Sequence, residues 1–76
     1  MEVRSGSPHQ HVLTERELVI LARVADGYTN SAIAHGLGMS PRTVAKHLEH
    51  AYRKLGVSSR AAAVSRVARA AYRPEN

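Results

Sequence analysis

The sequence contains no cysteine among its 76 residues, which excludes a disulfide framework and a thiolate metal site. It also lacks a long hydrophobic run. The longest stretch without a charged side chain, residues 27–41, is full of Gly, Ser, Thr and Asn, so no membrane span is predicted. The first residues lack the apolar region of a signal peptide, which predicts a cytoplasmic protein. A chain this short holds one small domain and no second core.

The usual signatures of an enzyme are missing as well. The sequence shows no Ser/His/Asp set, no glycine-rich phosphate loop and no close pair of carboxylates. His47 and His50 lie three residues apart, but no carboxylate or third histidine joins them at ligand spacing. We therefore predict a protein without catalytic activity, metal or cofactor.

Positive charge is concentrated in the second half of the chain. Residues 1–39 carry three Lys/Arg and four Asp/Glu, whereas residues 40–76 carry eight and two. A basic half on a small domain favours nucleic acid as the partner, ahead of an acidic protein or a membrane surface.

The clearest helix signal lies in residues 40–56. Ser40 is a typical N-cap, Pro41 suits the first helical position, and Gly56 suits the left-handed residue that often ends a helix. On a helical wheel one sector is apolar and the opposite sector is mainly basic. The apolar sector comprises Val44, Leu48, Ala51 and Leu55, with Tyr52 at its edge, and the polar sector comprises Arg42, Lys46, Glu49 and Arg53.

A first helix is predicted before this one. Thr14 and Glu17 have the spacing of a capping box, and Gly27 ends the helix. Its predicted inward stripe comprises Leu18, Leu21, Ala22, Val24 and Ala25.

A short second helix, capped by Thr29 or Asn30, is predicted to reach about Gly36. A tight connection containing glycine joins it to the helix of residues 41–55. Two helices joined in this way, the second of them basic on its outer face, describe a helix-turn-helix unit.

A fourth helix, capped by Ser58 or Ser59, is predicted over residues 60–71. Its small apolar side chains would let two copies cross closely, which predicts a weak homodimer that forms on DNA. The predicted dimer contact comprises Val64, Val67, Ala68 and Ala71.

Five segments match one known pattern at spacings that need no gap: LTERE (13–17), ADGYTNSAIA (25–34), LGMSPRTVAKH (37–47), YRKLGV (52–57) and SR (59–60). They resemble the LuxR-type (LuxR/FixJ/GerE-like) helix-turn-helix DNA-binding domain. The resemblance implies an all-α domain of four helices, with the third in the major groove and the fourth at a dimer contact. We expect this domain over residues 13–72, with flexible tails or linkers at residues 1–12 and 73–76.

The resemblance also implies roles for single residues. Thr43 occupies the position of a phosphate contact in the family, and His47, Glu17 and Arg60 occupy positions that support the scaffold. The sequence departs from the family pattern at Ala45, where the pattern has Lys.

These observations define a predicted DNA surface on the third helix. Lys46 can bond guanine, Ala45 offers only apolar contact, and Glu49 either accepts from a cytosine amine or pairs with a neighbouring cation. The predicted base-facing residues are Ala45, Lys46 and Glu49, and the predicted phosphate-facing residues are Ser40, Arg42, Thr43, Arg53 and Lys54.

Two functional hypotheses remain. The first is a sequence-specific regulator of transcription that binds double-stranded DNA in the cytoplasm, at the nucleoid. The second is a helical protein-interaction module, such as a sigma-factor-like domain that docks on RNA polymerase. A measurement of binding to duplex DNA at several salt concentrations distinguishes the two hypotheses. A protein that neutralises DNA phosphates releases counterions, so its affinity falls as salt rises, whereas docking on a protein partner need not release them.

Overall fold

The computed structural model describes residues 12–71, with side chains up to residue 69. Four α-helices follow one another: α1 at Glu15–Ala25, α2 at Asn30–Leu37, α3 at Pro41–Leu55 and α4 at Arg60–Ala71. Helices α1 and α3 are the central elements, because each of them packs against all three others. The predicted all-α class is confirmed, and residues 12–71 contain no strand. Apart from Val12, both predicted tails lie outside the described residues.

Side-chain caps fix where the helices begin. The Thr14 hydroxyl accepts from the Glu17 amide at 3.0 Å, and the Thr14 amide donates to the Glu17 carboxylate at 2.9 Å, which completes the predicted capping box. Thr29, not Asn30, caps α2, and Ser59, not Ser58, offers its hydroxyl to the first turn of α4. Each cap satisfies an amide that has no partner within its helix.

The turn between α2 and α3 depends on Gly38. Its φ of +70° lies in the left-handed region, which costs glycine nothing because it has no Cβ. This conformation lets the Met39 amide reach back to the Ala34 carbonyl at 2.9 Å. The chain therefore leaves α2 in a tight turn that places Ser40 at the start of α3.

The core forms where the apolar faces of the helices meet. Ile20 and Leu21 of α1, Ile33 of α2 and Val44 of α3 are its largest fully buried side chains. Burying a side chain of this size contributes about 1.5–3 kcal/mol. The remaining buried apolar residues are Val24, Ala34, Leu48, Ala51 and Ala63.

The predicted inward stripe of α1 is only partly confirmed, because Leu21 and Val24 are buried but Leu18 and Ala22 are not. Leu18 is 53 % exposed and Ala22 is also exposed, whereas the buried stripe is Glu17, Ile20, Leu21 and Val24. The predicted stripe does not include Glu17, and charged side chains are rarely buried without a partner. Glu17 has partners, and its burial rotates α1 so that Leu18 turns towards solvent.

The partner of Glu17 across the core is Lys54, at the end of α3. The Lys54 ammonium lies 2.9 Å and 3.2 Å from the two carboxylate oxygens, and the Glu17 side chain is only 5 % exposed. Burial raises the pKa of the Glu17 carboxyl, but the bonds from the Thr14 amide and from Lys54 outweigh burial, so the pKa lies below 4.5. Lys54 is predicted to face phosphate, but in the structure it forms an ion pair that connects α3 to α1.

We expect Leu48→Ala and Leu18→Ala to have different effects on stability, although they remove the same atoms. Leu48 is 4 % exposed, so its truncation should cost about 2–5 kcal/mol. Leu18→Ala should cost much less, because most of that side chain already faces water. Urea unfolding of both variants checks this, and equal losses would contradict the helix phases described above.

The Glu17 carboxylate should make the domain sensitive to acid. Because its pKa is lowered by folding, its contribution is complete above the unfolded value near 4.5 and is lost as the pH falls below it. Glu17→Gln should therefore be less stable at pH 7 and should lose less further stability between pH 5 and pH 3. The exposed Glu15→Gln change in the same turn is the matched control. Thermal melts that fall equally with pH in wild type and Glu17→Gln would contradict this assignment.

Candidate nucleic-acid interface

Two hydroxyl side chains, those of Ser40 and Thr43, are hydrogen-bonded at the N-terminus of α3. The Ser40 hydroxyl accepts from the Thr43 amide at 3.1 Å and lies 3.0 Å from the Thr43 hydroxyl. Pro41 occupies the first helical position, where its missing N–H costs nothing. Both hydroxyl side chains are exposed. The Thr43 amide is occupied by this cap, so an approaching phosphate would meet the two hydroxyls and the positive end of the helix dipole.

The outer face of α3 is solvent-exposed along its length. Val44, Leu48 and Ala51 are buried against the rest of the domain, so the positions between them point away from the core. The exposed residues of this face include Arg42, Thr43, Ala45, Lys46, Glu49, His50 and Arg53. The structure thus brings every predicted base-facing residue and every predicted phosphate-facing residue except Lys54 to one surface.

An ion pair joins two residues of this face. The Arg53 guanidinium lies 3.5 Å from a Glu49 carboxylate oxygen, and the two side chains are 70 % and 62 % exposed. An exposed pair at this spacing contributes only a few tenths of a kcal/mol, so DNA can readily displace or share it. Of the two roles left open for Glu49, pairing with a cation is the one that the free domain adopts.

A depression of about 270 Å³ lies beside the outer face of α3. We call it the α3 notch. Its exposed lining is mainly apolar, and it includes polar side chains from three helices. The residues that line it are Asn30, Ala45, Leu48, Glu49, Tyr52 and Arg60.

Arg60 ties the start of α4 to the start of α2. Its guanidinium donates to the Tyr28 carbonyl at 2.6 Å and to the Asn30 side-chain oxygen at 2.9 Å. His47, the other predicted supporting residue besides Glu17, is half-buried on α3. Asn30 was not among the predicted site residues, since no spacing rule links it to a residue thirty positions away.

The predicted dimer residues on α4 differ in exposure. Val64 and Val67 are half-buried and pack against the core, Ala68 is exposed, and the side chain of Ala71 lies outside the described part. Val67 also lines an open apolar groove of about 370 Å³ between α1 and α4. The groove is lined by Leu13, Leu18, Leu21, Ala22, Leu55, Arg66 and Val67.

Two further observations concern other kinds of site. Within residues 12–71, no group of three His, Cys, Asp or Glu side chains is placed to hold a metal ion. None of the helices described there is long and apolar enough to cross a lipid bilayer.

The chain is similar to bacterial regulatory proteins. The family model described as "Bacterial regulatory proteins, luxR family" matches residues 11–67. The protein named "Probable transcriptional regulatory protein SgaR" of Hyphomicrobium methylovorum is 53 % identical over 53 residues, 70 % of this chain. The "Probable transcriptional regulatory protein NarL" of Mycobacterium tuberculosis is 45 % identical over 69 residues, 90 % of this chain. The "Nitrate/nitrite response regulator protein NarP" of Escherichia coli is 50 % identical over 52 residues, 68 % of this chain.

The matched region spans 25 %, 32 % and 24 % of the length of these three relatives. No solved structure matches the chain at a significant level. Because the family model covers most of the sequence, and the four helices and the α2–α3 turn are those of a helix-turn-helix, the chain belongs to the luxR family of bacterial regulatory proteins.

Proposed function

We propose that this chain binds double-stranded DNA sequence-specifically, as the DNA-binding part of a transcriptional regulator, with α3 in the major groove. One observation carries the proposal: the outer face of α3 is exposed, basic at both ends, and held on a helix-turn-helix of the luxR family. The major groove admits one α-helix, and its base edges distinguish all four base pairs.

Phosphate contacts would come from the edges of this face. Arg42, Ser40 and Thr43 surround the N-terminus of α3, and Arg53 lies near its C-terminal end. Contacts at both ends would fix the position of the helix relative to the duplex without reading sequence. Lys54 takes no part, because Glu17 holds its ammonium inside the scaffold.

Base contacts would come from the middle of the face. Lys46 is exposed, and its ammonium can donate to the acceptors O6 and N7 of guanine. Glu49 presents a carboxylate that can only accept, which suits the amine of cytosine.

We further propose that two copies pair weakly on DNA through α4. Val64, Val67 and Ala68 supply small apolar side chains, and the exposed Leu18 and Ala22 of the adjoining groove extend this surface onto α1. Ala71 is also proposed as a dimer contact, because the sequence pattern puts it in the same set of small apolar residues of α4. The patch is small for a permanent dimer, which buries well over about 1,000 Å². Two neighbouring half-sites would raise the effective concentration of the second copy.

Under this proposal the chain acts at the chromosome, which places it in the cytoplasm. Its role is to bind DNA, and no catalytic activity is proposed. RNA polymerase is a further proposed partner, since a regulator bound near a promoter would meet it there. No observation favours the alternative of a sigma-factor-like docking module, whereas the relatives described above carry the names of regulatory proteins.

Selection of bound duplexes from a random pool tests the proposal. We expect enrichment of one short motif, arranged as two inverted copies because a two-fold dimer reads two half-sites. Failure to enrich any sequence at moderate salt would contradict sequence-specific binding.

Lys46→Ala and Arg53→Ala should then weaken binding in different ways. Loss of Lys46 should reduce discrimination between selected and random DNA by about 1–3 kcal/mol, because it removes a base contact. Loss of Arg53 should weaken both DNAs alike and lower the salt slope by about one. Titrations at several salt concentrations measure both effects. Arg69→Ala, which removes the same charge from α4, is the control, and equal behaviour of Lys46→Ala on both DNAs would make Lys46 a phosphate contact.

A further inference from the structure

The α3 notch combines two kinds of surface within one depression. Ala45, Leu48 and Tyr52 provide apolar atoms, and the acidic side chain of Glu49 is part of the same lining. Ala45 and Glu49 are four positions apart on α3, so their Cβ atoms lie about 6 Å from each other on the same face. A base edge that meets one of them therefore meets the other.

A cytosine methylated at C5 presents the matching pair of groups. Its N4 amine donates into the major groove, where thymine instead offers the O4 acceptor. A methyl group at C5 sits on the neighbouring ring carbon and points into the same groove. A carboxylate next to an apolar hollow therefore fits a donor next to a methyl group.

We infer that the α3 notch reads a cytosine of the target site and that methylation of this cytosine at C5 strengthens binding. The inference rests on the proposed function and assigns to it a chemical input, the methylation state of the DNA. Glu49 accepts from the N4 amine, and the methyl group enters the hollow formed by Ala45, Leu48 and Tyr52.

The same geometry disfavours thymine, although thymine also has a methyl group. Its O4 atom would face the Glu49 carboxylate, and neither group can donate a hydrogen bond. Apolar contact alone would leave the two bases equal. The Glu49 carboxylate is the feature that separates them.

The expected gain follows from the size of the methyl group. Removing one such carbon from water contributes about 0.8 kcal/mol, which is roughly a fourfold change in affinity. We expect this gain at one cytosine of the half-site and no gain at cytosines that the notch does not reach.

The experiment uses a duplex with one selected half-site, so that dimer contacts do not contribute. Each cytosine is replaced in turn by 5-methylcytosine and by thymine, with the matching change on the opposite strand, and the Kd of the wild-type chain is measured. One position should bind the methylated base about fourfold more tightly and thymine more weakly than cytosine. A half-site without a cytosine, no methyl gain at any cytosine, or thymine preferred at the responsive position would each overturn the inference.

Two variants test the assignment to the notch. Ala45→Lys should fold normally, since Lys is a good helix former on an exposed surface, but its long side chain should cover the hollow and abolish the methyl gain. Ser65→Lys adds the same charge on the exposed side of α4 and should keep the gain. A methyl gain that survives Ala45→Lys would overturn the inference. If the random pool enriches no motif at all, the proposed function itself has failed, which is a different outcome.

Discussion

The Glu17 carboxylate connects the start of α1 to the end of α3. It accepts from the Thr14 amide, which fixes the start of α1, and from the Lys54 ammonium, which fixes the end of α3. Breaking a buried pair by removing one partner typically costs about 3–5 kcal/mol, because the other charge stays buried without compensation. The pair therefore couples the rotation of α1 to the position of α3. Since α3 carries the proposed DNA surface, the direction in which that surface points depends on this contact.

A second constraint is that the helices contribute buried side chains of different sizes to the core. Ile20, Leu21, Ile33 and Val44 fill its centre, whereas within residues 60–69 of α4 Ala63 is the only fully buried residue. Helix α4 packs on the core mainly through half-buried side chains, Val64 and Val67, and Val67 also lines the groove beside α1. The partial exposure of these side chains provides the surface on which we propose that two copies meet.

Local signals in the sequence predict the helices well, because a cap and its helix lie within a few residues. Thr14, Ser40 and Gly56 mark boundaries that the structure reproduces, and the two faces of α3 follow from its period. The predicted inward stripe of α1 is only partly right, since burial of Glu17 depends on Lys54, 37 positions away. The α3 notch could not be predicted either, because Asn30 and Arg60 reach it from other helices. Patterns along the chain show which face of a helix is exposed to solvent. They do not show which side chains from distant parts of the chain lie beside that face.

Chemical protection of the duplex tests most directly whether α3 enters the major groove. Dimethyl sulfate methylates guanine at N7, which lies in the major groove, and adenine at N3, which lies in the minor groove. With a selected duplex, the bound chain should protect guanine N7 within each half-site and leave adenine N3 reactive there. Protection of adenine N3 with guanine N7 left reactive would place the chain in the minor groove and contradict the account.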